Sequence, residues 1–183
     1  MRVLFIGNSH TYYNDMPHIF ADICRERHVE TEVTMLAHGG KGWDFHVEEP
    51  EVRFNILYGG YDVVVLQHVA HPMGDLSVMA ACGRKLIRWV QEAGARPVLY
   101  MTWTTKADGE AAQAAMSNAY RELQKETDCE LAPVGDKWWE YHRAHPEIEL
   151  YAADGRHASE AGSQLAAASE ACLQSAAYNS ISG

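Results

Sequence analysis

Asp62-Val63-Val64-Val65-Leu66-Gln67 is the stretch that decides the fold. Four successive apolar positions leave no polar face, so a strand formed here must be covered on both sides, the condition of a central strand in a parallel sheet. Working outward, similar β-branched or apolar runs return at residues 2–6, 31–36, 97–102 and, more weakly, 130–134, with helical patterns between them. Asp15 is expected to cap the first helix, with Pro17 in its opening turn. Asp75 is expected to cap a long helix ending near Gly94, and residues 110–126 and 160–178 read as two more. Such alternation defines the α/β class, a sheet with helices on both faces. The alanines of the last helix point to close packing on the sheet. No repeat, low-complexity linker or charge block interrupts residues 1–183, so one domain is expected.

Composition narrows the partners. Apolar residues make up 47% and charged residues 22%, as in ordinary globular proteins. A net charge of −10 repels a nucleic-acid backbone, so no nucleic acid is expected. Only Arg2 precedes the first apolar stretch, and no run is long enough to span a bilayer, so the expectation is a cytoplasmic protein with no membrane partner. Cys24, Cys82, Cys129 and Cys172 are scattered without CxxC spacing and read as buried free thiols. A homo-oligomer stays open, because the pattern around Lys137 to His142, with Trp138, Trp139 and Tyr141, serves equally as core or interface.

Ligands of α/β sheets bind beyond the carboxyl ends of the strands, which gives weight to the segments 7–13, 37–43, 67–74 and 103–108 and to the turn before the last helix. Ser9 follows the first strand in Gly7-Asn8-Ser9-His10-Thr11, at a point where the next helix is not expected to have begun. A serine hydroxyl becomes nucleophilic when a histidine takes its proton and a carboxylate orients that histidine. Asp154-Gly155-Arg156-His157 supplies both, three residues apart, with Asp154 holding Nδ1–H and Nε2 facing the serine. Each segment alone is also readable as a cap or a surface turn; their joint occurrence at the two ends of one βα pattern favours catalysis. The developing oxyanion needs donors, and the Ser9 N–H, the Gly40 N–H in His38-Gly39-Gly40-Lys41-Gly42 and the Gln67 amide are the candidates. Trp43, His68 and Trp103 are candidate walls of a substrate pocket, and Tyr12, Tyr13, His71 and Met73 lie on the same loops. His68-x-x-His71 lacks a third ligand at motif spacing, so no metal is assigned.

These residues resemble the SGNH (GDSL-like) hydrolase superfamily: Gly7-Asn8-Ser9 its nucleophile block, Gly40 its glycine block and Asp154-x-x-His157 its closing block. Two departures mark a divergent branch. Asn8 stands where an aspartate is usual, and Val64-Val65-Leu66-Gln67 replaces the expected Gly-x-Asn block. A less characterised branch with Gly-Asn-Ser-His-Thr, Leu-Gln and a Thr-Trp pair like Thr102-Trp103 is similar, and there Gln67 would replace the missing asparagine. The resemblance implies a three-layer α/β/α fold with a flavodoxin-like parallel sheet. It also implies hydrolysis, through an acyl-serine, of small acyl esters of sugars or other alcohols, acetyl foremost, with no cofactor. The α/β-hydrolase elbow Gly-x-Ser-x-Gly fails at Thr11. The remaining alternative, a non-catalytic flavodoxin-like domain that binds FMN, a phosphorylated ligand or an acylated sugar, leaves Asp154 and His157 without a role.

Overall fold

Five strands, β1 (Arg2–Gly7), β2 (Glu32–Ala37), β3 (Val63–Gln67), β4 (Arg96–Tyr100) and β5 (Glu130–Ala132), form one parallel sheet in the order β2-β1-β3-β4-β5. They are seen in a computed structural model that describes residues 1–181, with side chains through Cys172. Ser182 and Gly183 of the expected domain lie outside the described residues. The register is continuous, Val3 lying opposite both Val33 and Val63, and Val65 opposite Val98.

The period of two along each strand builds two cores. Val3, Phe5, Val63, Val65, Val98 and Tyr100 face one side, where α2 (Met16–Glu26), α7 (Val134–Ala144) and α8 (Glu160–Ile181) cover them. Leu4, Ile6, Val64, Leu66 and Leu99 face the other, beneath α3 (Trp43–His46), α4 (Pro50–Tyr58), α5 (Leu76–Glu92) and α6 (Gly109–Thr127). The fold is therefore a three-layer α/β/α sandwich. Every residue of β3 is buried, as a run without a polar face requires. Phe5 meets Phe20 edge to face at 5.2 Å, one of the contacts that tie β1 to α2. On the area scale each large side chain buried this way contributes roughly 1.5–3 kcal/mol.

Three local expectations need correction. The chain turns helical directly after β1: α1 (Ser9–Tyr12) begins at the serine, with Asn8 as its cap accepting from His10 N–H at 3.0 Å. Asp15 occupies the cap position of α2 but makes no capping bond, because its backbone is left-handed, φ 58°. Asp75 does cap α5, accepting from Ser77 N–H. Helix α8 packs on the sheet as its alanines suggest, Ala166, Ala167 and Ala171 sharing one buried core with Val3, Phe5 and Tyr100, and it also lies closely along α2. Of the four free cysteines, Cys24 and Cys129 are buried, Cys82 is half-buried and Cys172 is exposed.

One buried group fits no core. Glu170 of α8 is fully buried, neither carboxylate oxygen has a partner among the described residues, and burial pushes its pKa well up.

Candidate active site

The sheet order reverses between β1 and β3, and at this switch point the loops part to leave a crevice. Ser9 stands there because β1 ends at Gly7 and α1 starts two residues later. Gly7 allows this tight exit: a Cβ on it would collide with Thr11 Oγ1 and Gln67 Oε1. Its carbonyl is tied down by His38 N–H at 3.0 Å and by the His46 ring at 2.8 Å. As the first residue of a helix, Ser9 has an N–H with no helical acceptor.

The second half of the site arrives from the turn before α8. Asp154 Oδ1 accepts from the N–H groups of Arg156 and His157 at 2.9 and 3.0 Å, closing a small loop around Gly155. Asp154 Oδ2 accepts from His157 Nδ1 at 2.5 Å, and His157 Nε2 lies 2.8 Å from Ser9 Oγ. The proton on Nδ1 leaves Nε2 free to accept from the serine hydroxyl. Desolvation works against the Asp154 carboxylate, but the bonds from the His157 ring and from the two N–H groups outweigh it and hold the pKa down at about 2. This carboxylate is ionised wherever the imidazole is useful.

Two aromatic side chains pack against the imidazole. Tyr13 stacks on His157 at 4.4 Å and 15°, and His10 lies 5.0 Å away. Tyr13 is delivered by Asn14 and Asp15, both left-handed at φ 51° and 58°, a conformation that costs a non-glycine residue roughly 1–2 kcal/mol. Asn14 offsets part of this through bonds from Nδ2 to the Ala158 carbonyl at 2.9 Å and Ser163 Oγ at 3.0 Å. The strain thus sits where it joins the nucleophile segment to the histidine segment. His10 is pushed down to about 3 by burial and by the nearby His71 and His157, and His71 to about 4, chiefly by burial, so both stay neutral.

Gly40 comes to the same place. His38 to Lys41 form a turn closed by Lys41 N–H to the His38 carbonyl at 3.1 Å, and its third position needs positive φ, which Gly40 supplies at 70°. Asn8 Nδ2 donates to the Lys41 carbonyl at 2.9 Å and so clamps this turn to the nucleophile helix. Ser9, His157, Gly40, Tyr12, Tyr13 and His71 all line one cavity of about 400 Å³.

Gln67 is not brought to that cavity. Its Oε1 accepts from Asn8 N–H at 2.9 Å and Thr11 Oγ1 at 3.0 Å, while Nε2 donates to the His68 carbonyl, and the side chain is fully buried. The structure gives it the task of holding the backbone before Ser9. The three candidate pocket walls are likewise buried. Trp43 sits under Tyr120 and His68. His68 accepts from Trp43 N–H at 3.0 Å and its other nitrogen lies 3.1 Å from the Met73 carbonyl. Trp103 stacks on Trp138 at 4.0 Å. A place on a loop after a strand says nothing about which way a side chain turns; here the apolar face of α5 and the indole of Trp138 take them inward. Tyr12, Tyr13, His71, Val69 and Arg156 wall the cavity instead. Tyr13 and Arg156 carried a signal in the sequence, nearness to the segments that hold Ser9 and His157. Among the described residues no group of three or more His, Cys, Asp or Glu side chains is placed to hold a metal ion. No helix among them is long and apolar enough to cross a membrane.

No protein-family model matches the chain, and no curated protein matches it. Solved structures do. A protein from Slackia heliotrinireducens described as a candidate SGNH hydrolase is 31% identical, with 93% of this chain and 97% of that one covered and a TM-score of 0.79. A lipase/acylhydrolase from Enterococcus faecalis shares the fold at 15% identity, with 96% of each chain covered and a TM-score of 0.78. A protein from Parabacteroides merdae described as a candidate GDSL-like lipase does so at 17%, covering 93% and 94%, with a TM-score of 0.72.

Proposed function

The chain belongs to the SGNH (GDSL-like) hydrolase superfamily, and from that premise we propose that it is a serine esterase acting on small acyl esters, acetyl foremost, of a carbohydrate or other alcohol. One observation carries the reading: an unbroken relay from Asp154 Oδ2 through His157 to Ser9 Oγ, with contacts of 2.5 and 2.8 Å. In the first step Ser9 Oγ attacks the ester carbonyl while His157 Nε2 takes its proton, and Asp154 stabilises the imidazolium that forms. The tetrahedral oxyanion accepts from the Ser9 and Gly40 N–H groups, a pair of backbone donors that need no reorganisation as charge develops. His157 then returns the proton to the departing alkoxide oxygen, leaving an acyl-serine. Water repeats the sequence: His157 takes one of its protons, the hydroxide adds to the acyl carbon, and Ser9 leaves with that proton as the carboxylic acid is released.

A cavity of about 400 Å³ around Ser9, lined by Tyr12, Val69 and His71, leaves room for the acyl group, and the preference for a short one is carried over from the family resemblance. The test is hydrolysis of p-nitrophenyl acetate, butyrate and octanoate by the wild type, Ser9→Ala and His157→Ala. Turnover that favours acetate and disappears in both variants is expected. Equal, slow rates for all three proteins on every ester would sink the proposal.

A further inference from the structure

A larger cavity adjoins the one around Ser9. His71 and Arg156 line both, and the second, of about 840 Å³, continues along Met73, Lys106, Asp108 and Asp154. Ser9 and Gly40 belong to the smaller space alone, so the acyl group and its oxyanion are accommodated there. The larger space is left for the other half of the ester.

Arg156 is placed to read that half. Its N–H donates to Asp154 Oδ1 and its carbonyl accepts from Trp103 Nε1, each at 2.9 Å, which fixes its backbone between the acid and the base of the relay. Its guanidinium, by contrast, has no hydrogen-bond or ion-pair partner among the described residues. The other charges on the wall are engaged. Lys106 pairs with Glu149 at 2.5 Å, Asp154 is bonded to His157 at 2.5 Å, and Asp108 accepts from Thr105 Oγ1 at 2.6 Å. A guanidinium fork matches the paired oxygens of a carboxylate or phosphate. The net charge of −10 repels anions at long range, so a preference for one must come from a local contact such as this.

Resting on the esterase reading above, we propose that the larger cavity takes the alcohol half of the ester and that Arg156 binds an anionic oxygen group on it, so that the substrates are O-acyl esters of hydroxy acids or phosphorylated alcohols. The full chain is assayed for kcat/KM on 4-acetoxybenzoate, 4-acetoxyphenyl phosphate and the neutral 4-acetoxybenzamide, alongside Arg156→Gln, Arg156→Glu and Asp108→Asn. The readout is the ratio of anionic to neutral ester within each protein, which cancels any loss of folded enzyme. In the wild type at least one anionic ester is expected to win by about tenfold, and which one wins separates carboxylate from phosphate. The ratio falls to about one in Arg156→Gln and lower in Arg156→Glu. It rises in Asp108→Asn, since the Asp108 carboxylate on the same wall opposes an anion. A wild-type ratio near one, or a preference that survives Arg156→Gln, overturns the proposal while leaving the esterase intact. Failure of the wild type on all three esters overturns both.

Discussion

At the residue scale, each member of the relay has its own expected loss. Ser9→Ala removes the nucleophile and should lower kcat by about 10⁴-fold or more, read with p-nitrophenyl acetate. Gly40→Ala places a methyl group on a backbone at φ 70°, where there is room for it but not the conformational freedom. The turn should shift, and kcat should fall by roughly 10²-fold as its N–H leaves the oxyanion, with KM little changed. Gln67→Ala distinguishes two roles. If the side chain holds Asn8 N–H and Thr11 Oγ1, its loss leaves two buried donors without their acceptor, and the protein should lose roughly 1–3 kcal/mol of stability or more together with activity. A fall in kcat with an unchanged melting temperature would instead make it an oxyanion donor. That Ser9, Asp154 and His157 come into hydrogen-bond contact is legible in the sequence, because the proposed chemistry requires those residue types beside one another. Trp43, His68 and Trp103 are not legible as core, since only the packed structure reveals the direction a loop side chain takes.

At the scale of elements, the strands can be read to within a residue or two, because a parallel sheet leaves β-branched runs that nothing else explains. The two four-residue helices, α1 and α3, cannot be read in this way. Four residues complete barely one turn, and no period shows in so short a span. Asp15 misleads for a related reason: the residue type suits a cap, but the left-handed backbone set by the Tyr13 to Asp15 turn denies it the geometry. In α8 the alanine pattern reveals the close approach to the sheet but not the equally close one to α2. Glu170 interrupts that pattern at a fully buried position. Glu170→Met should remove two unpaired oxygens and stabilise the protein at pH 7 by roughly 1 kcal/mol or more, measured by urea denaturation. No gain would mean that the carboxyl finds a partner in solution.

Across the whole molecule, buried titratable groups set opposing pH dependences. His10 and His71 have pKa values of about 3 and 4, whereas histidines of the unfolded chain titrate near 6.5. Below about pH 6.5 the unfolded state therefore takes up protons that the folded state refuses, and stability falls as pH drops toward 3. At pH 5 His10 alone accounts for roughly 2 kcal/mol. Glu170 has the opposite sign. Its raised pKa makes its contribution fully present below about pH 4.5 and lost as pH rises. Urea midpoints between pH 4 and 8 should show His10→Asn flattening the acid side and Glu170→Met lifting the neutral side. An acid slope untouched by His10→Asn would show that His10 is not held neutral in the fold.

The 2.8 Å contact between Ser9 and His157 spans 148 positions of the chain. Closing so large a loop carries an entropy that local turns and helices do not, so the contact cannot precede the native topology. Covalent capture of Ser9 by a fluorophosphonate during refolding is accordingly a clock for tertiary closure. Its rate of return dates the moment when the two distant stretches of backbone become a single reactive surface.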